Sequence, residues 1–433
     1  MTRTTAPRRD LLRRASPAAA PEYVSASEAT RLLRIKPQTL YTYVSRGLIR
    51  SLAQPADKRR LYYREDIRNA LARGAVRRGQ SALAEGAMRW GGQPVIDTAI
   101  TEITPEGPRY RGRLAIDLAR EGCSFEAAAE LLWTGVLQHD PLRWRLDGLP
   151  AGFAARLDAL ARGGEQPPVL RLFALAAGML GAGETVRSEI GRGDTLSAAR
   201  ELILVLAGCL GYLGKRPRFH TPTGGIRVAE FAARALLTRP SIDAIDAIER
   251  ALVLCADHEL SSSTFAARLA ASTGVELRGC VLAALVTHSG AMLGGGCDIA
   301  EDLLHDARTR ADVRQRLAGV EKAGQRVPGF NLPLYPKGDP RARYLLQLAK
   351  SFATQSARAQ LIYAFIEEAE ERLQLRPSIE VGLVALSAAL NLPERSASAL
   401  WALGRSAGWI AHVIEQRLAG FVLRPRARYG SAA

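Results

Sequence analysis

Few side chains in this sequence are placed for chemistry, and the clearest is a histidine. The chain has 433 residues and six histidines. His258 stands in Ala256-Asp257-His258-Glu259, ahead of the hydroxyl-rich Ser261-Ser262-Ser263-Thr264. An imidazole between two carboxylates can hold a proton or bond a polar ligand. Leu254 lies one helical turn earlier, which also suits a histidine packed in a core. The stretch reads as a helix carrying His258, closing on polar residues and continuing into a second apolar helix. Behind it comes a glycine-rich break, Gly290-Ala291-Met292-Leu293-Gly294-Gly295-Gly296-Cys297-Asp298. Its glycines lack the G-x-G-x-x-G spacing and the lysine of a P-loop. Nothing beside Cys297 marks its thiol as activated, and the histidines show no metal-ligand spacing.

The elements that must position these groups are mostly helical. Pro94–Ile103, a turn at Pro105-Glu106-Gly107 and Tyr110-Arg111-Gly112 predict one hairpin. After it run Ala/Leu/Arg-rich helical segments broken at Gly183, Pro240, Gly274, Pro328 and Pro393, so the body is expected to be all-α. Apolar residues make up 47% and charged residues 24%, ordinary for a globular protein. Five scattered cysteines without a CxxC predict free thiols in a reducing compartment. Met1–Pro21 lacks the apolar core of a secretory signal. The longest uncharged run, Gly279–Cys297, reads as a buried helix ending in a turn rather than a membrane span. A soluble, cytoplasmic protein is expected.

Charge is concentrated at one end. Residues 1–80 hold 18 Lys+Arg against 6 Asp+Glu, whereas the remainder is close to neutral. That directs any polyanion partner to the N-terminal unit. Residues 1–22 read as a disordered basic arm. Ser25-Ala26-Ser27-Glu28 is a capping box for a short helix with Ala29, Leu32 and Leu33 on one face. Pro37 suits the start of a second helix carrying Leu40 and Val44, and Gly47 its end. Leu48–Tyr63 predicts two strands around a basic turn, Asp57-Lys58-Arg59-Arg60, before a short helix over Glu65–Arg73. This order, with Val24–Ala29, Thr39–Val44, Arg46–Ile49 and Leu61–Tyr63, resembles the winged helix-turn-helix of the MerR/excisionase type. The resemblance implies DNA as a partner, with Gln38, Thr39, Thr42 and Arg46 at a groove and Lys58, Arg59 and Arg60 on phosphates. The same charges also suit a solvated domain or one that makes protein contacts.

The body resembles citrate synthases. The shared features are Ala256-Asp257-His258-Glu259 before the glycine turn, Tyr110-Arg111-Gly112 leading to Leu131-Leu132-Trp133-Thr134-Gly135, Asp339-Pro340-Arg341, Gly404–His412 and Leu423-Arg424-Pro425. The resemblance implies condensation of acetyl-CoA, or another acyl-CoA, with oxaloacetate, with no bound cofactor and no metal. It makes His258, Arg341 and Arg405 the dicarboxylate ligands, arginine because its planar fork suits a carboxylate. Arg424 would reach the site of a partner subunit. CoA would lie on the backbone of the Arg326–Asn331 loop, Phe330 included, and on the Gly294–Gly296 turn, with Lys337 and Arg343 near phosphates.

Three positions depart from the family pattern. Leu293 stands where a histidine steadies the enolate, Leu332 where a second polarises the ketone, and Glu380 where an aspartate is the base. The expected organisation is a winged helix-turn-helix over 23–75, a large domain over 76–293 and 392–433, and a small domain over 294–391. The expected function is a citrate synthase-family protein with impaired or no turnover. Its alternatives are a dicarboxylate- or acyl-CoA-responsive DNA-binding regulator and a subunit completing an active paralogue, as homodimer or heterodimer.

Overall fold

The computed structural model describes residues 23–45, 49–54, 57–64, 66–67, 96–138, 142–162, 168–183, 185–186, 189, 195–352 and 356–424. The arm over 1–22, the linker, most of the helix expected over 65–73, and Arg46 with Gly47 lie outside these residues.

The chain opens with β1 (Tyr23–Ser25), α1 (Ala26–Leu33), α2 (Pro37–Ser45), β2 (Ser51–Gln54) and β3 (Asp57–Tyr63). Ser25 Oγ accepts from the Glu28 N–H at 3.3 Å, which satisfies a donor that the first turn of α1 leaves open. Val24, Ala29, Leu40, Ile49, Tyr62 and Ile67 form a small core of their own. Two expectations need correction. An unforeseen β1 pairs with β3, giving the order β1-β3-β2. Lys58, Arg59 and Arg60 lie on strand β3 rather than in a turn, because the chain reverses between Gln54 and Asp57. Pairing on both sides, Val24 with Tyr62 and Leu52 with Leu61, draws the basic segment into the ladder.

A second antiparallel sheet holds β4 (Thr101–Thr104), β5 (Gly107–Tyr110) and β6 (Arg113–Leu114). Its pairing begins at Thr101, later than the hairpin expected from Pro94. A further pair, β7 (Trp144–Arg145) with β8 (Gly225–Ile226), was not expected; two residues a side leave no periodic pattern to read. The helices are α3 (Ala115–Arg120), α4 (Phe125–Thr134), α5 (Phe153–Arg162), α6 (Val169–Gly181), α7 (Thr195–Cys209), α8 (Val228–Leu236), α9 (Ile242–Cys255), α10 (Ser262–Ser272), α11 (Leu277–His288), α12 (Gly295–Leu304), α13 (Arg310–Lys322), α14 (Pro340–Lys350), α15 (Ala357–Leu373), α16 (Ile379–Ala389) and α17 (Ser396–Ala419). Thr195–Leu213, the one described stretch long and apolar enough to cross a membrane, is mostly buried within the fold.

The core is built around α17, 24 residues buried on nearly every face, as a helix enclosed by others must be. Around it pack α4, α9, α10, α11 and α16. Gly404 and Gly408 let it lie against the end of α9. A Cβ on Gly404 would come within 2.7 Å of Cys255 Cβ, and one on Gly408 within 2.1 Å of Asp257 Oδ1. The Gly408 N–H donates to the Ala256 carbonyl at 2.8 Å. This close approach sets Arg405, between the two glycines, beside the residues that follow α9. Elsewhere α14 and α15 pack on α16, and α13 on α15.

The N-terminal unit is fastened to the body at the end of α4. There the body's own Arg111, just after β5, donates through Nε and Nη2 to the Leu132 carbonyl at 3.2 and 3.0 Å, and two residues of the N-terminal unit take the next two carbonyls. Arg50 Nη1 donates to the Trp133 carbonyl at 3.1 Å, and Tyr23 Oη to the Thr134 carbonyl at 2.5 Å. These are carbonyls a helix leaves without internal partners, and cations suit that end of its dipole. Asp66 fixes Arg50 from behind through Nε at 2.7 Å and Nη2 at 2.8 Å.

Candidate functional site

His258 lies just beyond α9, not within a helix as expected. The helix ends at Cys255, with Ala256 as its cap. Glu259 takes a left-handed conformation at φ 55°, and Ser261 caps α10. The Tyr110 hydroxyl donates to the Val253 carbonyl at 3.0 Å and accepts from the Asp257 N–H at 3.2 Å, which pins this turn. Asp257, fully buried, has Oδ2 3.2 Å from His412 Nε2 on α17. His258 is also buried, with Nε2 3.1 Å from the hydroxyl of Tyr335. Burial, then the charges of Arg341 and Arg405, hold its pKa well below the usual histidine range. The imidazole is therefore neutral at neutral pH.

Both arginines expected to clamp a ligand are in this buried space, with unlike partners. Arg341, at the start of α14, forks onto Asp339, Nε to Oδ1 at 3.1 Å and Nη2 to Oδ2 at 2.8 Å. Its Nη1 is buried without a hydrogen-bond partner. Burial opposes its charge, but Asp339 more than reverses that and raises its pKa. Arg405 is 3% exposed, and its Nε donates to the Cys255 carbonyl at 3.0 Å. No carboxylate pairs with it among the described residues. Burial lowers its pKa, with Asp257 opposing and Arg341 adding to the fall. A buried guanidinium without a counter-ion is a receptor for an anion.

Glu380, in the first turn of α16, has Oε2 accepting from the Ser378 hydroxyl at 2.7 Å. Burial raises its pKa against that bond. The glycine-rich segment is its neighbour: a Cβ on Gly296 would meet Glu380 Cγ at 3.7 Å. The segment is a tight turn flowing into α12 rather than an open break. Leu293 N–H donates to the Gly290 carbonyl at 2.9 Å, and Cys297 is already helical. Burial pushes the Cys297 thiol far up, so it is no nucleophile. His288 packs edge-on to Trp401 and Trp409 at 4.9 and 5.4 Å. Burial, then Arg405, lowers its pKa to about 3.

The loop expected to carry CoA is tied down from within. Arg326 Nη2 donates to the Phe330 and Asn331 carbonyls at 3.0 and 3.1 Å. Asn331, at φ 57°, accepts from the Arg376 N–H through Oδ1 at 2.8 Å. The Phe330 ring is buried against Phe365 at 5.5 Å, which leaves only its backbone to a ligand. Lys337 is exposed, and Leu332 and Leu293 are partly buried. Arg424 is exposed at the end of the described chain, beyond Leu423, whose N–H donates to Ser272 Oγ at 3.1 Å. Thr42 Oγ1 donates to the Gln38 carbonyl at 2.9 Å, while Gln38 and Arg60 are exposed and Thr39 is partly buried.

The family model for the citrate synthase C-terminal domain matches residues 89–426. The chain belongs to the citrate synthase family. It is 27% identical over 353 residues to a 2-methylcitrate synthase of Shewanella oneidensis, covering 78% of this chain and 93% of that one. To a citrate synthase of Haloferax volcanii it is 29% identical over 341 residues, covering 74% and 88%. Among solved structures it resembles citrate synthase of Thermoplasma acidophilum in a ternary complex with carboxymethyl coenzyme A and oxaloacetate. The TM-score is 0.66 at 20% identity, over 81% of this chain and 97% of that one. Citrate synthase of Thermotoga maritima gives 0.66 at 21%, over 81% and 96%.

This citrate synthase fold thus brings His258, Arg341 and Arg405 into one buried space, with Glu380 close enough to sense the charges of Asp339 and Arg341. Arg424 is not part of that space in its own chain. Sequence reasoning passed over Tyr335, the fork of Asp339 on Arg341 and the Asp257–His412 pair. Tyr335 lies six residues before Arg341, close enough for a turn to bring it back, but only the fold shows that it does.

Proposed function

We propose that this citrate synthase-family protein binds a small dicarboxylate of the oxaloacetate type and turns it over poorly or not at all. The observation that carries this reading is Arg405, a buried guanidinium to which no carboxylate is bonded among the described residues. One ligand carboxylate pairs with Arg405, and a second bonds the open Nη1 of Arg341. Neutral His258 lies between them, its Nε2 3.1 Å from the Tyr335 hydroxyl. Arg424 of a second copy supplies a further cation at the rim, and residues 294–391 act as a small domain that covers the site. An acyl-CoA lies on the backbone of the Arg326–Asn331 loop.

Turnover is another matter. Condensation needs a base and donors aimed at two developing oxyanions. Glu380, with its raised pKa, accepts a proton only when ionised. Leu293 and Leu332 donate nothing. Losing one positioned donor costs on the order of 10²–10³ in rate, and a second loss compounds it, though not additively. His288 does not rescue the enolate side, because two tryptophans enclose it. Asn331, beside Leu332, is exposed, with its carboxamide oxygen turned to the Arg376 N–H.

A second element of the reading is favoured by the fastened N-terminal unit: a winged helix-turn-helix that binds DNA, its affinity sensitive to the occupied pocket. Trp133, whose carbonyl takes Arg50, donates through Nε1 to the Ala407 carbonyl at 2.9 Å. Ala407 is two residues from Arg405.

Calorimetric titration of oxaloacetate into the full chain tests the pocket. Saturable one-to-one binding that disappears in Arg405→Met is expected. Binding unaffected by that change, or no binding by the wild type, contradicts the proposal.

A further inference from the structure

Tyr335 sets a neutral hydroxyl among the charged groups of this pocket, and neither ligand carboxylate needs it. Its side chain is 3% exposed. The hydroxyl lies 3.1 Å from His258 Nε2, with ring centroids 5.6 Å apart. Arg341 Cζ is 5.8 Å from the centre of its ring. The turn that returns it is closed by two backbone bonds, Tyr335 N–H to the Leu332 carbonyl and Gly338 N–H to the Tyr335 carbonyl, each 2.9 Å. Leucine at position 332 has no hydrogen to give, so the hydroxyl is what the segment offers to the pocket.

We infer that Tyr335 is the residue that recognises the oxo group of the ligand, by donating its phenolic hydrogen to that carbonyl oxygen. This rests on the carboxylate-binding reading above. Two neutral partners make the exchange possible. With the ligand absent, the phenol and the imidazole bond each other. With it present, His258 Nε2–H donates to the phenolic oxygen and the phenol's own hydrogen turns to the ligand. Each bond in such a chain polarises the next. Burial pushes the phenol up to about 12, so it keeps its hydrogen throughout the neutral range. The arrangement discriminates a 2-oxo diacid from the same diacid with a methylene in place of the carbonyl. It serves the ketone alone: the enolate side, at Leu293, gains nothing from it.

The test compares oxaloacetate with succinate, by calorimetry, on wild type and Tyr335→Phe. Loss of one neutral hydrogen bond is worth about tenfold in affinity. The wild type should prefer oxaloacetate, and Tyr335→Phe should weaken oxaloacetate about tenfold while leaving succinate unchanged. Equal weakening of both acids, or of neither, overturns the assignment while leaving the carboxylate site standing. A wild type that binds neither acid overturns the carboxylate site and the assignment with it. An infrared difference spectrum of carbonyl-labelled oxaloacetate on the wild type needs no variant. A stretch shifted to lower frequency on binding supports the assignment, and an unshifted one overturns it.

Discussion

Arg405 and Cys255 are joined by a 3.0 Å hydrogen bond from the guanidinium Nε to the backbone carbonyl at the end of α9. That bond aims the guanidinium without neutralising it. Arg341 is the contrast, since Asp339 balances its charge wherever a ligand is absent. The unliganded pocket therefore carries the cost of one buried cation that no carboxylate bonds among the described residues, with Asp257 offsetting it only through space. Arg405→Met removes that cost and should stabilise the unliganded protein by roughly 1–3 kcal/mol. Denaturant unfolding checks this, and the order of stabilities should reverse when a dicarboxylate saturates the wild type.

Restoring the missing donors tests the explanation for poor turnover. Leu293→His, Leu332→His and Glu380→Asp together should raise thiol release from acetyl-CoA by at least about 10², with the single changes giving much less. Thiol release followed with a colour reagent measures it. No change would show that the site lacks more than its donors.

Glu126 supplies a pH prediction away from the pocket. It is fully buried in the first turn of α4, with Oε1 accepting from the Val228 N–H at 2.6 Å and Oε2 unpartnered. Burial, then the nearby Glu249, raises its pKa to about 7. The folded state therefore holds this proton at pH values where the unfolded chain has released it. Its contribution is fully present below about 4.5 and is lost as pH rises through about 7. Glu126→Gln should leave stability at pH ~4 nearly unchanged and raise it by roughly 3 kcal/mol at pH ~8, read from urea unfolding at the two pH values.

The basic strand of the N-terminal unit gives a salt-dependent prediction. If Lys58, Arg59 and Arg60 meet phosphates, a gel shift on duplex DNA should weaken steeply as salt rises. Lys58→Ala with Arg59→Ala and Arg60→Ala should reduce the slope of log affinity on log salt by about 0.9 for each phosphate no longer neutralised. Arg50→Ala, which frees the unit from the Trp133 carbonyl, should instead leave that slope intact while making the unit more sensitive to limited proteolysis.

Much of this architecture was legible in the sequence, for identifiable reasons. Capping residues such as Ser25, and helix punctuation such as Pro37 and Gly274, act locally and are read locally. The motifs around His258, Arg341 and Arg405 carried the family because residue type and spacing are themselves the signal. What could not be read depends on distant partners. β1 exists only because β3 offers Tyr62 to Val24. The ring of Phe330 turns inward because Phe365 is there to receive it. His258 was placed in a helix, yet the left-handed Glu259 and the Ser261 cap end the helical run first. Tyr335 faces His258 across 77 positions of sequence, and no periodicity records that meeting.

The central claim is that the pocket holds a small diacid but lacks the enolate-side donor needed to condense it. Thiol release from acetyl-CoA tests this most directly, at an oxaloacetate concentration that calorimetry shows to be saturating. Release indistinguishable from the protein-free background is the predicted result. Steady release over many turnovers, at the roughly 1–10³ per second common among enzymes, would contradict it.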